Sequence, residues 1–257
     1  MKIYLINLDK DVAKFAVADR QLQSFGIEYS RISAIDGKSL SQSEKKSKVS
    51  YFRWWCAVGV PPRDGEIGCA LSHIAVYKRI VESGLEYACV LEDDVVLDKR
   101  FTEVLEQVSR SINSLKPQVL LLSNHSDESE NTGSGAHVSG YRSSCDRQFE
   151  IKRIRSDSFT EGYVLTCEAA KVLIKQNTPL RIYADAWHRW ARRGAIELYH
   201  VFPTVCSQDK VSFASATVLC DSTLDVSKMS RLRWLWHKFN RCIGCALDRV
   251  LLCLLGK

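Results

Sequence analysis

Three adjacent carboxylates close a short apolar run in this chain: Tyr87 to Leu91 leads directly into Glu92, Asp93 and Asp94. At the mouth of a buried strand, three such charges repel one another unless a cation sits among them. Strand alternation sends Glu92 and Asp94 to one side and Asp93 to the other. Two carboxylates on one side, with coordination positions left over, suit Mn²⁺ or Mg²⁺ shared with substrate phosphates better than zinc, which takes His or Cys. That arrangement would hold a diphosphate and neutralise it as it departs. A solvated strand end, or a helix start whose dipole favours acids, accounts for the same residues without chemistry.

The carboxylates need a scaffold, and the flanking sequence predicts one. Lys2 to Leu8 is an apolar run of strand length, Val12 to Phe25 has helical spacing until Gly26 stops it as a C-cap, and Glu28 to Ser33 reads as a second strand. This strand, helix, strand order begins a mostly parallel sheet covered by helices. Ser41 to Pro62 reads as irregular, with a charged run from Glu44 to Lys48 ahead of Tyr51-Phe52-Arg53-Trp54-Trp55 and a closing Pro61-Pro62. Ile67, Leu71, Ile74 and Val81 predict a helix that ends at Gly84 and leaves Ser72 and His73 off its apolar face. After the carboxylates, Phe101 to Ile112 predicts a helix and Val119 to Leu122 a buried strand. Ser123 to Arg147 has no apolar period and predicts a functional lid or a disordered loop. Order resumes at Glu150 to Ile154, followed by a helix at Glu168 to Lys175, a helical patch around Asp185 to Arg193 and a strand at Leu198 to Phe202.

The block Gly65-Glu66-Ile67-Gly68-Cys69-Ala70-Leu71-Ser72-His73, followed by Ala88 to Asp94, is specific. With Ile6-Asn7-Leu8-Asp9, Ala34-Ile35-Asp36-Gly37, Gly162-Tyr163 leading into Glu168-Ala169-Ala170, and then Pro179 and Asp185, it resembles glycosyltransferase family 25. These are lipopolysaccharide-type transferases related to collagen galactosyltransferases, and the likeness runs from residue 2 to about residue 210. It implies an α/β, GT-A-like nucleotide-sugar-binding fold, a UDP-sugar donor, a divalent metal at the acidic motif and inversion at the anomeric carbon. Asp94 would then bind the metal directly, Glu92 would support it or contact the ribose, and Asp93 would either support the metal site from behind or face the donor sugar. Asn7, Asp36, Gly65, Gly68, Ser72 and His73 would lie on the donor side, Ser72 and His73 as donor contacts or supports of the acidic loop and not as metal ligands, the two glycines permitting close backbone approach or simply forming a turn. The chain departs from the family pattern after its first strand, where an arginine is common. Here Lys10-Asp11-Val12 follows and Arg20 is the first arginine; Lys10 would supply a point charge but no bidentate contact.

An inverting transfer needs a base for the acceptor hydroxyl, and a positioned carboxylate is the usual one. Asp185 is the candidate, in Tyr183-Ala184-Asp185-Ala186-Trp187-His188, where Tyr183, Trp187 and Trp190 offer flat faces for sugar rings. The other reading makes Asp185 a helix N-cap and its aromatics core. Glu161 is the reserve base. Trp54-Trp55 is left between contact with acceptor sugar or membrane and buried anchoring.

The net charge of +6 is unevenly placed: Lys228, Arg231, Arg233, Lys238, Arg241, Arg249 and Lys257 face only Asp248 in residues 228–257, so residues 1–227 are formally neutral. A neutral body with a basic tail points to local attachment and away from nucleic acid. In that tail Leu232, Leu235, Phe239, Ile243, Leu247, Val250 and Leu254 recur at helical spacing beside Trp234 and Trp236. The longest apolar run, Val250 to Leu255, falls far short of the roughly 20 residues of a spanning helix. An amphipathic helix lying on the inner face of the cytoplasmic membrane is expected, or else one packed on the catalytic domain or a second copy. Ten scattered cysteines, with one CxxC pair at Cys242 and Cys245, read as reduced thiols and core fillers. The first apolar stretch is too short for a signal segment, so a cytoplasmic enzyme is expected.

The sequence thus predicts a catalytic domain over residues 1–227 and a basic amphipathic segment over 228–257. The expected activity is hexose transfer, most simply galactose from UDP-galactose, to a lipopolysaccharide core or related lipid-linked oligosaccharide. A metal-dependent nucleotidyltransferase would carry a glycine-rich basic loop after its first strand, and none follows Leu8. A non-catalytic peripheral membrane protein is the rival of a different class.

Overall fold

β1 (Lys2–Asn7) buries five successive residues, which only a strand covered on both faces can do. In the computed structural model, which describes residues 1–123, 149–154, 159–202 and 204–209, it lies inside a seven-stranded sheet. The other strands of that sheet are β2 (Ser30–Ser33), β3 (Tyr87–Glu92), β5 (Gln118–Leu121), β6 (Glu150–Arg153), β7 (Gly162–Thr166) and β8 (Glu197–Phe202). Their order is β2-β1-β3-β7-β5-β8-β6. β1 runs parallel to β2 and β3, and β5 parallel to β8, while β7 and β6 run antiparallel to their neighbours, so the sheet is mixed. Beside it, β4 (Val95–Leu97) and β9 (Cys206–Gln208) form a two-stranded antiparallel ribbon.

The described residues fall into two compact units. The larger comprises residues 1–35, 72–123, 149–154, 159–176, 184–202 and 204–209, and the smaller residues 36–71 and 177–183. In the larger, α1 (Val12–Ser24) and α5 (Phe101–Ser111) share an apolar core with the sheet, where Ile3, Leu5, Cys89, Leu91 and Val164 meet Ala18, Leu22, Phe101, Val104 and Val108. α4 (Asp64–Glu82), from Ser72 onward, also belongs to this unit, as do α6 (Cys167–Gln176) and α7 (Trp187–Arg192). The two glycine stops read from the sequence are real. Gly26 and Gly84 take φ of 65° and 63°, and each closes its helix with paired bonds back to the last turn: Gly26 N–H to Gln23 and Ile27 N–H to Leu22, Gly84 N–H to Val81 and Leu85 N–H to Ile80.

In the smaller unit the expectation of an irregular Ser41–Pro62 segment is corrected. α2 (Gln42–Lys48) and α3 (Tyr51–Val58) occupy it. Ser41 and Glu44 form a reciprocal capping box at the start of α2, and Gly59 ends α3 at φ 85°. Strands β4, β7 and β9 also escaped the sequence reading, two of them because three residues carry no period. Residues 124–148 of the expected lid, and the whole C-terminal tail, lie outside the described residues. Among the described residues no helix is long and apolar enough to cross a membrane, and Cys56, Cys89, Cys167 and Cys206 are free thiols.

Gly162 opens β7 against the ribbon, and a β-carbon there would lie 2.8 Å from Cys206 Sγ and 3.2 Å from Leu91 Cδ2. Gly162→Ala is expected to destabilise the fold by about 1–3 kcal/mol in urea unfolding, with Cys206→Ala recovering part of the loss. An unchanged midpoint for the single variant would contradict this packing.

Candidate active site

The sheet's register brings the acidic turn to the ends of its central strands. Ile6 pairs with Glu92 across the parallel β1 and β3, and Leu91 with Gly162 across the antiparallel β3 and β7. Asn7, Glu92 and Glu161 therefore converge at one edge, the carboxyl end of parallel strands where α/β folds place ligands. β3 stops at Glu92, and Asp93-Asp94 form a turn before β4. Alternation therefore does not extend through the triplet, and the expectation that Glu92 and Asp94 share one side of a strand is replaced by three separate settings.

Glu92 Oε1 lies 3.2 Å from Nε2 of the buried His73. Burial alone would raise the Glu92 carboxyl; the hydrogen bond and charge of His73, helped by Thr160 and Lys14, outweigh it and hold Glu92 below the usual range. Asp93 accepts from Asn7 Nδ2 at 2.6 Å, and Lys14 Nζ stands 3.8 Å away. Burial nonetheless wins there, and the Asp93 carboxyl is raised. Asp94 is 6% exposed; its Oδ2 accepts from Gln208 Nε2 at 3.0 Å, whereas Oδ1 is buried with no hydrogen-bond partner among the described residues. Burial first, and then the charge of Glu92, push its carboxyl up to about 7. The turn is held from behind: Gln21 donates to Val95 O and accepts from Leu97 N–H, completing the open edge of β4 in place of a strand.

His73 and Ser72 are both buried, contrary to the expected phase of α4. The buried arc runs through Ser72, His73, Val76, Tyr77 and Ile80, while Leu71 and Val81 are only half-buried. His73 Nδ1 is 2.7 Å from the Tyr163 hydroxyl, which donates on to Tyr77. Ser72 Oγ accepts from Ile35 N–H at 2.8 Å, fixing the chain just past β2.

Asp185 lies in the turn before α7, whose N-cap is Ala186 with no side-chain cap bond, so Asp185 does not cap the helix. Burial, with the nearby charges of Glu92 and Glu161, raises its carboxyl to about 6. Glu161 is buried and accepts from Ser123 Oγ at 3.0 Å. The reading of Trp187 and Trp190 as open sugar platforms is corrected. Both are buried, Trp187 meeting Tyr163 edge-on at 5.0 Å and donating to the carbonyl of Phe159. Phe159, two residues before Glu161, holds φ at 124°, a backbone state that non-glycine residues adopt at a cost and that clusters at functional sites.

The remaining predicted residues belong to the smaller unit. Asp36 Oδ1 accepts from Lys38 N–H and its carbonyl from Ser39, a turn that carries Gly37 against Asp64, where a β-carbon would come 1.8 Å from the carbonyl oxygen. Gly65 and Gly68 lie in the first turns of α4. Sequence reasoning sought the cation after β1 at Lys10 and missed Lys14 and Arg31. Arg31 Nη2 donates to Asn7 Oδ1 at 2.6 Å and to Asp9 at 3.0 Å, and its guanidinium lies 4.4 Å over Phe15. The parallel pairing of Leu5 with Arg31, which the structure shows, sets β2 beside the strand that carries Asn7; spacing along the sequence does not reveal it.

A mixed α/β sheet with a carboxylate turn at the ends of its central strands defines a GT-A-like glycosyltransferase. The chain belongs to glycosyltransferase family 25, described as an LPS biosynthesis family, whose sequence pattern matches residues 1–187. A glycosyltransferase of Haemophilus influenzae is 26% identical over 214 residues, covering 81% of this chain and 70% of that protein. Mouse procollagen galactosyltransferase 2 is 32% identical over 122 residues, 44% of this chain but only 18% of that protein. A glycosyltransferase 25 family member of Anopheles gambiae is 26% identical over 179 residues, 68% of this chain and 28% of that one. The chain thus spans a small fraction of the animal relatives.

The Asp94 setting has a consequence for stability. A carboxyl raised from 3.8 to about 7 in the folded state binds its proton more tightly there than in the unfolded chain. Its contribution is therefore greatest below about pH 4 and is lost as pH rises through 7. In chelator, the melting-temperature advantage of Asp94→Asn over the parent is expected to be smallest near pH 4 and to grow to several degrees at pH 8. An equal or lower value at pH 8 would show that Asp94 carries no burial cost.

Proposed function

We propose that this glycosyltransferase is a metal-dependent, inverting hexosyltransferase that moves galactose from UDP-galactose to a lipopolysaccharide core or related lipid-linked surface glycan. The buried, unpartnered Oδ1 of Asp94 supports this most directly, because a carboxylate oxygen without a donor fits a cation. Asp94 would hold Mn²⁺ or Mg²⁺, with Glu92 supporting it or contacting the ribose. The metal would supply charge neutralisation for the departing diphosphate. Galactose is supported by the named activity of the collagen relatives, and the lipopolysaccharide acceptor by the family description.

Each neighbouring side chain has a role in this scheme. Asn7 and Lys14 hold Asp93 toward the donor sugar. Asp185 takes the proton of the acceptor hydroxyl as its oxygen attacks the anomeric carbon; the new C–O bond forms opposite the breaking bond to phosphate, and UDP leaves. A carboxyl near 6 is mostly ionised at neutral pH yet basic enough to accept that proton. Glu161, bound by Ser123, shapes the charge around Asp185.

Two measurements test this reading. UDP release from UDP-galactose, with lipopolysaccharide acceptor, should require Mn²⁺ or Mg²⁺ and exceed that from UDP-glucose; equal rates in chelator would defeat it. Asp185→Asn should lower kcat by roughly 10²–10⁴-fold while UDP affinity stays nearly constant. A collapse of donor affinity would place Asp185 in the nucleotide site.

The basic segment 230–257 is proposed to attach the enzyme to the inner face of the cytoplasmic membrane. Its deletion should leave donor turnover with soluble acceptor intact and weaken sedimentation with anionic vesicles. Undiminished sedimentation, or unfolding, would make the tail structural instead.

A further inference from the structure

The aromatic cluster that the sequence left between two readings divides cleanly in the smaller unit. Trp54 is fully buried and meets Tyr183 edge-on at 6.4 Å, so it anchors α3. Phe52 is 74% exposed, Tyr51 39% and Trp55 36%. At about 100° per residue these three side chains leave α3 within roughly a 100° arc. The arc is not a loose loop. Lys45 of α2 is buried in an ion pair with Asp64 at 2.6 Å, and Ser50 N–H donates to Leu180 O while Leu180 N–H donates to Lys48 O. The helix is thus fixed from inside with the Phe52 and Tyr51 rings held outward, an arrangement that costs water contact unless something apolar covers it.

The charges around the arc say what that cover is. Lys46 and Lys48 are exposed on α2 just ahead of it, and Arg53 lies on α3 itself. The one acid of α2, Glu44, is drawn into its capping box with Ser41 and turned to the helix start. Lysines beside outward Phe and Tyr are the composition of an interfacial contact, with rings at the headgroup boundary and cations at anionic lipid. We infer that the Tyr51-Phe52 face of α3, with Lys46 and Lys48, is a docking surface for an anionic lipid bilayer. The inference rests on the proposal that the acceptor is lipid-linked. It assigns to the folded domain itself a contact that would seat the enzyme on the surface bearing that acceptor.

The test uses the full chain in vesicle flotation, with phosphatidylglycerol and phosphatidylcholine mixed against phosphatidylcholine alone, and metal-dependent UDP release measured in parallel. Phe52→Ser with Tyr51→Ser should weaken binding to anionic vesicles by at least about fivefold and leave UDP release with soluble acceptor unchanged. Lys46→Gln with Lys48→Gln should weaken binding to anionic vesicles and leave the low binding to neutral ones as it was. Parental binding in both double variants overturns the inference. So does a shift from dimer to monomer in the aromatic variant, which would show a second copy on this face. A loss of turnover with soluble oligosaccharide, vesicle binding being unchanged, would make the face an acceptor-sugar site. Because donor chemistry is read separately, failure of vesicle binding leaves the transferase reading standing.

Discussion

Asp94 carries a carboxylate into a place where one of its oxygens is shut away from solvent and, among the described residues, meets no donor, with Glu92 and Asp93 as its neighbours in the chain. Like charges crowded into a desolvated turn are unstable without compensation. Much of the larger unit can be read as managing that crowding. His73 is set against Glu92, Asn7 and Lys14 against Asp93, and Gln208 against half of Asp94. What remains in the turn, among the described residues, is the Oδ1 of Asp94 without a hydrogen-bond partner. An amide or an apolar residue would sit there at lower cost.

The strand order explains how partners so far apart in sequence reach one another. Parallel pairing of β1 with β3 sets Asn7 beside the acidic turn, and antiparallel β7 delivers Thr160 and Glu161 to the same edge. The short ribbon of β4 with β9 brings Gln208 to Asp94, and the Gln21 side chain seals the ribbon's other edge. The His73–Tyr163–Tyr77 chain ties α4 to the sheet beneath Glu92. Behind Asp185, Trp187 is packed too tightly to serve a substrate, and it fixes the turn that presents the carboxylate.

Much of this was legible in the sequence where local signals are strong. The apolar run ending in Glu92, the glycine stops at Gly26 and Gly84, and the amphipathic Phe101–Ser111 helix all follow from spacing and backbone conformation. Where burial depends on distant partners, pattern reading failed. Ser72 and His73 looked peripheral because polar residues break an apolar stripe, although hydrogen bonds to Ile35 and Tyr163 make their burial tolerable. Arg31 and Lys14 were passed over because proximity in sequence to β1 stood in for proximity in space. The helices over Gln42–Val58 were hidden by a charged run, although the Ser41–Glu44 capping box was there to be read.

The proposed chemistry depends on whether the open oxygen of Asp94 belongs to a cation. Calorimetric titration of Mn²⁺ into the protein with UDP present, for the parent chain and Asp94→Asn, tests that most directly. One saturable site in the parent, lost or weakened at least about a hundredfold in the variant, is the expected result. Equal Mn²⁺ affinity in the two proteins would contradict it and leave the buried carboxylate unexplained.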